Sequence, residues 1–536
     1  MLSEKFTVGI LIEDHAVPAW EYDMLMELLQ ANYVSKVILF SNSAPSPHKK
    51  NQTARSLAFR LFNRFEKRWF KNLADASCIL NLDELQGKYP NLGISGNGLD
   101  DAEIPPVDLV YISYLRKDKS FVSIPRYGLW YIQFGNEQRA IFGMPGFWEV
   151  VNNEVITQSS LKVVIGGEGN EIVAYQAVSQ TVPFSVINNF NSIAWKASRF
   201  FPIRLKKLYL MGPEKFFTQP EIPADENKRI QQRNNDSIPS NSMMIWYFIR
   251  NCFRYALNKV MELINKNDRF IILFRKGELD FKNLEINLFT KLIPEGKNFW
   301  ADPFIFENQD GRYVFFEEGV YPGFKGRICA IQINPEGTVG RSQIALEKTY
   351  HLSYPFVFVY NNKTYLIPES SENLTVDLYE CKKMPAEWVF CRNLMSGTAL
   401  QDPTLFYHDG FWWLFGTTKM SKYSTSNDQL VIYYSDDLFS EAWTAHPGNP
   451  VVTDVSNCRP AGKIVKRGDK IFRPAQNNAS KQYGFSVRIN EIELLTTTEF
   501  KEKPVFEISP LEYKGFKAIH TINTDANLVV IDGILS

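Results

Sequence analysis

An α/β N-terminal domain followed by an all-β five-bladed propeller is the fold class this sequence predicts. Three observations carry it: strand–helix–strand patterning near the N-terminus, a polar stretch at 219–241, and one short phrase that recurs through the second half. The boundaries read as an α/β domain over 1–215, a linker and helix over 216–268, and a propeller over 269–536.

The N-terminal elements follow in order. Residues 6–12 are a continuous apolar run, as expected of a strand buried on both faces of a parallel sheet. A helical pattern covers 20–29 and a second strand covers 36–40, which completes a βαβ unit. Further strands are expected at 107–113, 128–134 and 160–164. The 219–241 stretch of Pro, Asn, Asp, Gln and Ser cannot build a core. Residues 243–265 read as a helix, and 270–274 as the first strand of the propeller.

The repeated phrase is a Pro-containing opening, an apolar strand, a tight turn and an aromatic strand. It reads Trp300-Ala301-Asp302-Pro303-Phe304 with Asp310-Gly311, then Tyr354-Pro355-Phe356 with Asn361-Asn362, then Gln401-Asp402-Pro403 with Asp409-Gly410. A fourth copy is Arg459-Pro460-Ala461 with Gly468-Asp469, and a weaker fifth is Thr521-Ile522-Asn523 with Asp525-Ala526-Asn527. The copies lie roughly 50 to 60 residues apart, the period of a four-stranded blade. The turn pairs suit hairpins that need positive φ, so each phrase is two strands of one blade. A propeller gathers the starts of its innermost strands around one funnel, so Asp302 and Asp402 are expected to face the same cavity.

Composition narrows the function classes. The 536 residues exceed one core, and 45% hydrophobic with 14% aromatic content supplies several. Fifty-nine basic residues balance 59 acidic ones, so no global field argues for nucleic acid. The six cysteines are scattered without a CxxC pair, which reads as free thiols in a reducing compartment. No metal site is expected, and no cofactor is read from the chain. Neither a signal peptide nor a spanning helix is expected, so the location reads as cytoplasmic, with attachment to the inner membrane surface open. Residues 55–71 interleave six cations with bulky apolar residues. That pattern fits an interfacial helix on an anionic membrane or a surface helix packed on its own sheet. Helix 243–265 reads as a similar case, with interdomain packing as its alternative.

His15 follows the first strand, where open α/β sheets place ligands. The segment 125–136, followed by Pro145-Gly146-Phe147-Trp148, resembles the formyltransferase family (methionyl-tRNA and sugar-amine formyltransferases) over about 6–205. In that family an Asn-x-His motif ends a strand and a later loop carries a catalytic Asp. Here Tyr131-Ile132-Gln133 stands at the Asn-x-His position, and Glu168 in Gly166-Gly167-Glu168-Gly169 stands near the Asp. Gln133 cannot carry a proton at neutral pH, so formyl transfer is not expected. Two readings stay open: a repurposed transferase site of Gln133, Asn136 and Glu168, or a domain that is structural only.

Trp300-Ala301-Asp302-Pro303 and Gln401-Asp402-Pro403 resemble the inner-strand openings of five-bladed glycoside hydrolases such as family 43. That resemblance implies Asp302 as base and Asp402 as the second Asp, with a general acid at the fourth phrase, where Arg459 stands instead. Glu318 and Glu369 end strands and are the acids available to replace it. The whole pattern resembles the propeller of the plant glucosamine inositolphosphorylceramide transferase family over about 270–536. Phe315-Phe316-Glu317-Glu318, Ile367-Pro368-Glu369-Ser370 and Arg473-Pro474-Ala475-Gln476 add to that likeness. In that family a glycosyltransferase domain follows the propeller, so what the resemblance implies is association with glycan or glycolipid assembly.

The functional reading is a transferase of bacterial surface-polysaccharide or glycolipid biosynthesis with a glycan in the funnel. A carbohydrate-binding scaffold and a family 43-like hydrolase are the alternatives. Catalytic candidates are Asp302, Asp402, Glu369, Gln133 and Glu168. Substrate-binding candidates are Arg459, Arg473, Tyr354, Trp300, Asn136 and His15. The expected partner is a glycan or lipid-linked sugar.

Overall fold

The computed structural model describes residues 4–13, 15–42, 57–69, 74–85, 87–95, 106–113, 124–135, 145–166, 170–218, 240–264, 268–279, 284–334, 336–427, 429–480 and 483–535. They form two compact units, Met1–Lys259 with Met420–Ser424, and Val260–Lys419 with Thr425–Ser536.

The first unit is built on a mixed sheet. Its strands are β1 (Phe6–Glu13), β2 (Ala16–Pro18), β3 (Val34–Asn42), β4 (Ile79–Asn81), β5 (Leu92–Ser95), β6 (Leu109–Ile112), β7 (Leu129–Phe134), β8 (Ile156–Val164) and β9 (Glu171–Gln180). Strands β5, β3, β1, β6 and β7 pair in parallel in that order. Strands β8 and β9 continue the sheet antiparallel. The apolar run of β1 is central, with Val8, Ile10, Leu11 and Ile12 buried on both faces. Strand β9 was absent from the sequence reading because its start lies beside the Gly-rich segment taken there for a catalytic loop.

Seven helices among the described residues accompany this unit. They are α1 (Ala19–Gln30), α2 (Leu57–Trp69), α3 (Phe147–Asn152), α4 (Val186–Ala197), α5 (Phe200–Met211), α6 (Pro213–Thr218) and α7 (Asn241–Ile264). Helix α1 buries Trp20, Met24, Leu25 and Leu28, an apolar stripe at helical spacing. Helix α4 starts at Ser185, whose hydroxyl accepts the Asn188 N–H, and it is buried along its whole length.

The second unit is five antiparallel four-stranded sheets. The first blade holds β12 (Phe299–Asn308), β13 (Gly311–Val320), β14 (Lys325–Gln332) and β15 (Gln343–Leu346). The second holds β16 (Ser353–Tyr360), β17 (Lys363–Glu369), β18 (Thr375–Lys383) and β19 (Glu387–Ser396). The third holds β20 (Gln401–His408), β21 (Phe411–Thr417), β22 (Leu430–Ser435) and β23 (Thr444–Ala445). The fourth holds β24 (Val465–Arg467), β25 (Lys470–Asn477), β26 (Ser486–Leu495) and β27 (Phe500–Ile508). The fifth is assembled from both ends of the unit. Strands β28 (Phe516–Thr524) and β29 (Leu528–Leu535) pair with β10 (Phe270–Lys276), which pairs with β11 (Thr290–Leu292). Strand 270–274 of the sequence reading is therefore the third strand of the last blade.

Each blade interface has its own apolar core. Val314 and Phe316 of the first blade pack with Ile272 and Val530 of the fifth. Phe315 and Ile328 pack with Val357 and Leu366 of the second blade. Ile367 and Leu378 pack with Leu405 and Leu414 of the third. Phe415 and Ile432 pack with Ile471 and Ile492 of the fourth, and Val487 and Ile489 with Ile519 and Ile531 of the fifth. A sheet with apolar side chains on both faces has to be covered on both, and a closed ring of blades does so.

Candidate functional site

The repeated openings set the site. Proline has no N–H for the strand ladder, so a proline near a strand start breaks the pairing locally. The register slips between Ala301 and Phe304, between Ser353 and Phe356, and between Gln401 and Thr404. It slips again between Ile519 and Ile522 in the fifth blade. At these bulges Asp302, Tyr354 and Asp402 take left-handed φ of 53°, 46° and 50°.

Neighbouring blades hold these strained residues in place. The Glu369 carboxylate at the end of β17 accepts the Asp402 N–H at 3.0 Å. Asp532 of β29 accepts the Asp302 N–H at 2.9 Å. An acid on the second strand of one blade thus caps the bulge of the next.

Arg459 ties the cluster together. Its Nε meets Asp402 Oδ2 at 2.6 Å, and a terminal nitrogen meets Asp402 Oδ1 at 3.2 Å. The same end lies 3.7 Å from Glu369 Oε2. Gln476 Nε2 adds a hydrogen bond to Asp402 Oδ2 at 3.1 Å. On the other side, His520 Nδ1 stands 3.0 Å from Asp532 and 3.5 Å from Asp302. His351 accepts the Gly326 N–H on Nδ1, so its proton sits on Nε2, which faces Glu317 at 3.3 Å.

Carboxyls outnumber cations in this buried space, so the protons are shared. Burial raises the Asp302 carboxyl to about 6, against the pull of His520. Burial, with the neighbouring Asp302 and Glu369 charges, raises Glu317 well above the carboxylate range. Glu369 goes the other way: burial opposes its charge, but Arg459 and donated hydrogen bonds outweigh burial and hold it low. His520 is raised because Asp532 outweighs the cost of burial.

Asp302 Oδ1 is buried and accepts no hydrogen bond. A buried carboxyl raised to about 6, whose Oδ1 faces His520 Nδ1 at 3.5 Å, can hold or pass a proton. Tyr483 is partly exposed beside it, with its hydroxyl 3.3 Å from His520 Nε2 and its ring against Arg459. Asp302, His520 and Asp532 are also the group, among the described residues, whose donor atoms lie close enough to hold a metal ion. Both Asp532 oxygens already accept protein hydrogen bonds, from Asp302 on one side and Thr521 on the other.

Lys463 links the inner strands of the first two blades. It donates to the carbonyls of Ile305 and Val357 at 3.1 and 2.9 Å. The Tyr354 hydroxyl accepts the Gly462 N–H at 2.9 Å and lies 2.9 Å from Thr404 Oγ1. Beyond Lys463 lies a cavity of ≈ 340 Å³ lined by Phe306, Phe358, Lys463 and Asp525.

The structure thus brings together Asp302, Asp402, Glu369 and Arg459. It does not bring Arg473, Trp300 or Tyr354 to a ligand-facing position. Arg473 is buried against Glu502 at 2.6 Å and the Asn457 carbonyl. Trp300 packs on Phe316 and donates to Glu318, so its ring is blade core. Tyr354 is fully buried. Glu318, the alternative acid, is held by Arg327, Trp300 and Asn298 inside its blade.

In the first unit, Gln133 donates to the Gly135 carbonyl at 3.2 Å, and its Oε1 is buried without a donor. Asn136 and Glu168 lie outside the described residues. His15 is half exposed, 3.8 Å from Asp83.

Sequence reasoning missed Glu317, His520, Asp532 and Gln476. His520 was in reach, because it stands before Thr521 as Asp302 stands before Pro303. The fifth phrase lacks the proline that marks the others, and its start was read one residue late.

Residues 291–525 match the family described as the N-terminal region of glucosamine inositolphosphorylceramide transferase 1. A rice (Oryza sativa subsp. japonica) protein of that name is 35% identical over 211 residues, which are 39% of this chain and 28% of the rice protein. The Arabidopsis thaliana protein of the same name is 32% identical over 211 residues, 39% of this chain and 27% of the relative. The chain therefore spans less than a third of the length of these plant relatives. Among solved structures, a family 117 glycoside hydrolase of the marine bacterium Zobellia galactanivorans aligns at 12% identity with a TM-score of 0.34, over 49% of this chain and 90% of the hydrolase. A family 43 β-1,3-galactosidase aligns at 12% identity with a TM-score of 0.32, over 40% of this chain and 81% of that one. At these scores the five blades rest on the strand pairing above and not on the likeness.

Proposed function

We propose that this chain is a transferase of glycolipid or surface-polysaccharide assembly, in a bacterial setting, whose propeller binds the sugar part of a lipid-linked substrate at the Asp302 end of the funnel. The observation that carries the reading is the buried Asp302–His520–Asp532 and Asp402–Arg459–Glu369 cluster, all of which but Asp532 falls within the 291–525 segment similar to glucosamine inositolphosphorylceramide transferases. Vicinal hydroxyls suit fixed carboxylates and a guanidinium, which accept and donate without rearranging. The hydrolase reading is weaker, because Arg459 is permanently charged and locked onto Asp402, so it supplies no proton to a leaving group. The first unit is the candidate for the transfer step. Its parallel strands followed by an antiparallel pair are in keeping with a formyltransferase-like domain adapted to another group, with Gln133 at the end of β7.

The test is saturation-transfer NMR on the full chain with methyl glucosaminide and with myo-inositol 1-phosphate as separate probes. Contact signals from either probe that vanish in Asp302→Asn support the funnel site. Signals unchanged by that substitution, or none from either probe, sink it. Incubation with an inositolphosphoryl glycolipid and nucleotide sugars, read by mass spectrometry, separates transfer from binding alone.

A further inference from the structure

We propose that helices α2 and α7 form one platform that lies in the interface of an anionic membrane. The two helices run side by side in the same direction. The Ala58 N–H donates to Asn241 Oδ1 at 3.0 Å near their N-termini. Seven residues further along each, Phe65 and Phe248 meet edge to face at 5.2 Å. The inner sides are occupied, with Phe59 and Phe62 of α2 and Met244 of α7 buried in one cluster with Phe147 and Trp148.

The outer sides are apolar and open. On α2, Leu57 is 60% exposed and Leu61 54%. On α7, Ile245, Ile249 and Phe253 recur at every fourth position, and the last two are 61% and 62% exposed. That spacing puts them on one face. Large aliphatic and aromatic side chains set together on an open face mark an interaction surface.

Charge selects the occupant. Arg60, Arg64 and Arg68 are exposed on α2, and among the described residues none of them meets a carboxylate. The only acid of α2, Glu66, is turned inward, where it accepts from Ser185 and from the Ile187 N–H. Apolar side chains flanked by unneutralised arginines match the acyl boundary and headgroups of an anionic bilayer. No helix among the described residues is long and apolar enough to cross a membrane, so the geometry is that of a helix pair lying in the surface. This surface is independent of the funnel, and the two proposals fail separately.

Flotation of the full chain tests it, with vesicles of phosphatidylcholine alone and of phosphatidylcholine and phosphatidylserine in equal parts. The wild type is expected to float with the mixed vesicles, less so as salt is raised, and weakly with phosphatidylcholine alone. Arg60→Glu with Arg64→Glu, and separately Ile249→Glu with Phe253→Glu, are each expected to lower the bound fraction on the order of tenfold or more. Wild type that stays in the pellet with mixed vesicles overturns the proposal, as do folded variants that float equally well. If either variant loses its circular-dichroism melt, the wild-type contrast between the two vesicle types decides. Sedimentation equilibrium without vesicles covers the rival occupant: a dimer broken by Ile249→Glu, with no flotation, assigns the face to a second copy of the chain.

Discussion

The Arg459 guanidinium commits N–H donors to Asp402, Gln401 and Asn427 and keeps its remaining edge toward Glu369. Replacing it with alanine leaves two buried carboxylates without their cation. Arg459→Ala is expected to cost about 3–5 kcal/mol of propeller stability, measured by urea unfolding. Adding Asp402→Asn is expected to recover part of the loss, because the two residues form one network. A single variant as stable as the wild type would mean that Arg459 is not a structural tie. Asp402 and Arg459 were both legible as funnel residues from their place before proline. Their mutual pairing was not, because residues 57 positions apart meet only when the third and fourth blades are set side by side.

At the scale of elements, helix α2 docks through Phe59, Phe62 and one carboxyl. Glu66 accepts the Ser185 hydroxyl at 2.9 Å and the Ile187 N–H at 3.3 Å, both at the start of α4. Burial raises it from 4.5 to about 7, which exceeds what those hydrogen bonds return. The folded state therefore holds this proton longer than the unfolded chain does. The stability it contributes is complete below pH 4.5 and is lost as pH rises through about 7. Glu66→Gln keeps an acceptor there and removes the charge. It is expected to flatten that decline and to raise stability at pH 8 by about 1–3 kcal/mol. Melting both proteins at pH 5 and pH 8 checks the sign: a gap that does not widen toward pH 8 contradicts it. The helix itself was legible from its residue pattern, whereas the inward turn of Glu66 was not. Only the position of α4 supplies the partners that make burying an acid tolerable.

At the scale of the molecule, the last blade is closed by strands from opposite ends of the second unit. Phe270–Lys276 pairs along its whole length with β29, from Phe270 against Ile534 to Lys276 against Leu528. A chain beginning at residue 268 retains this closure, and one beginning at residue 295 leaves β29 as an open edge. The shorter chain is expected to aggregate or to lose its cooperative unfolding transition, while the longer one unfolds in a single step. Light scattering and calorimetry on the two separate these outcomes. Equal behaviour would show that four blades and two strands are enough.

The sequence by itself determined the number of blades, the place of each inner strand and four of the five parallel strands of the first unit, β5 being the one it missed. These are local properties: proline openings, turn pairs and apolar periodicity act within a few residues of one another. Only the tertiary structure decided which side chains share the centre. Arg473 stands in as conspicuous a motif as Asp402, yet the fold turns it into its own blade against Glu502. His520 sits in the least conspicuous copy, yet the fold brings it to 3.5 Å from Asp302. The reason is geometric: side chains along a strand alternate between the two faces of a blade, and a bulge breaks that alternation. The facing of every residue near the axis therefore depends on where the ladder slips, which pairing with the next strand fixes.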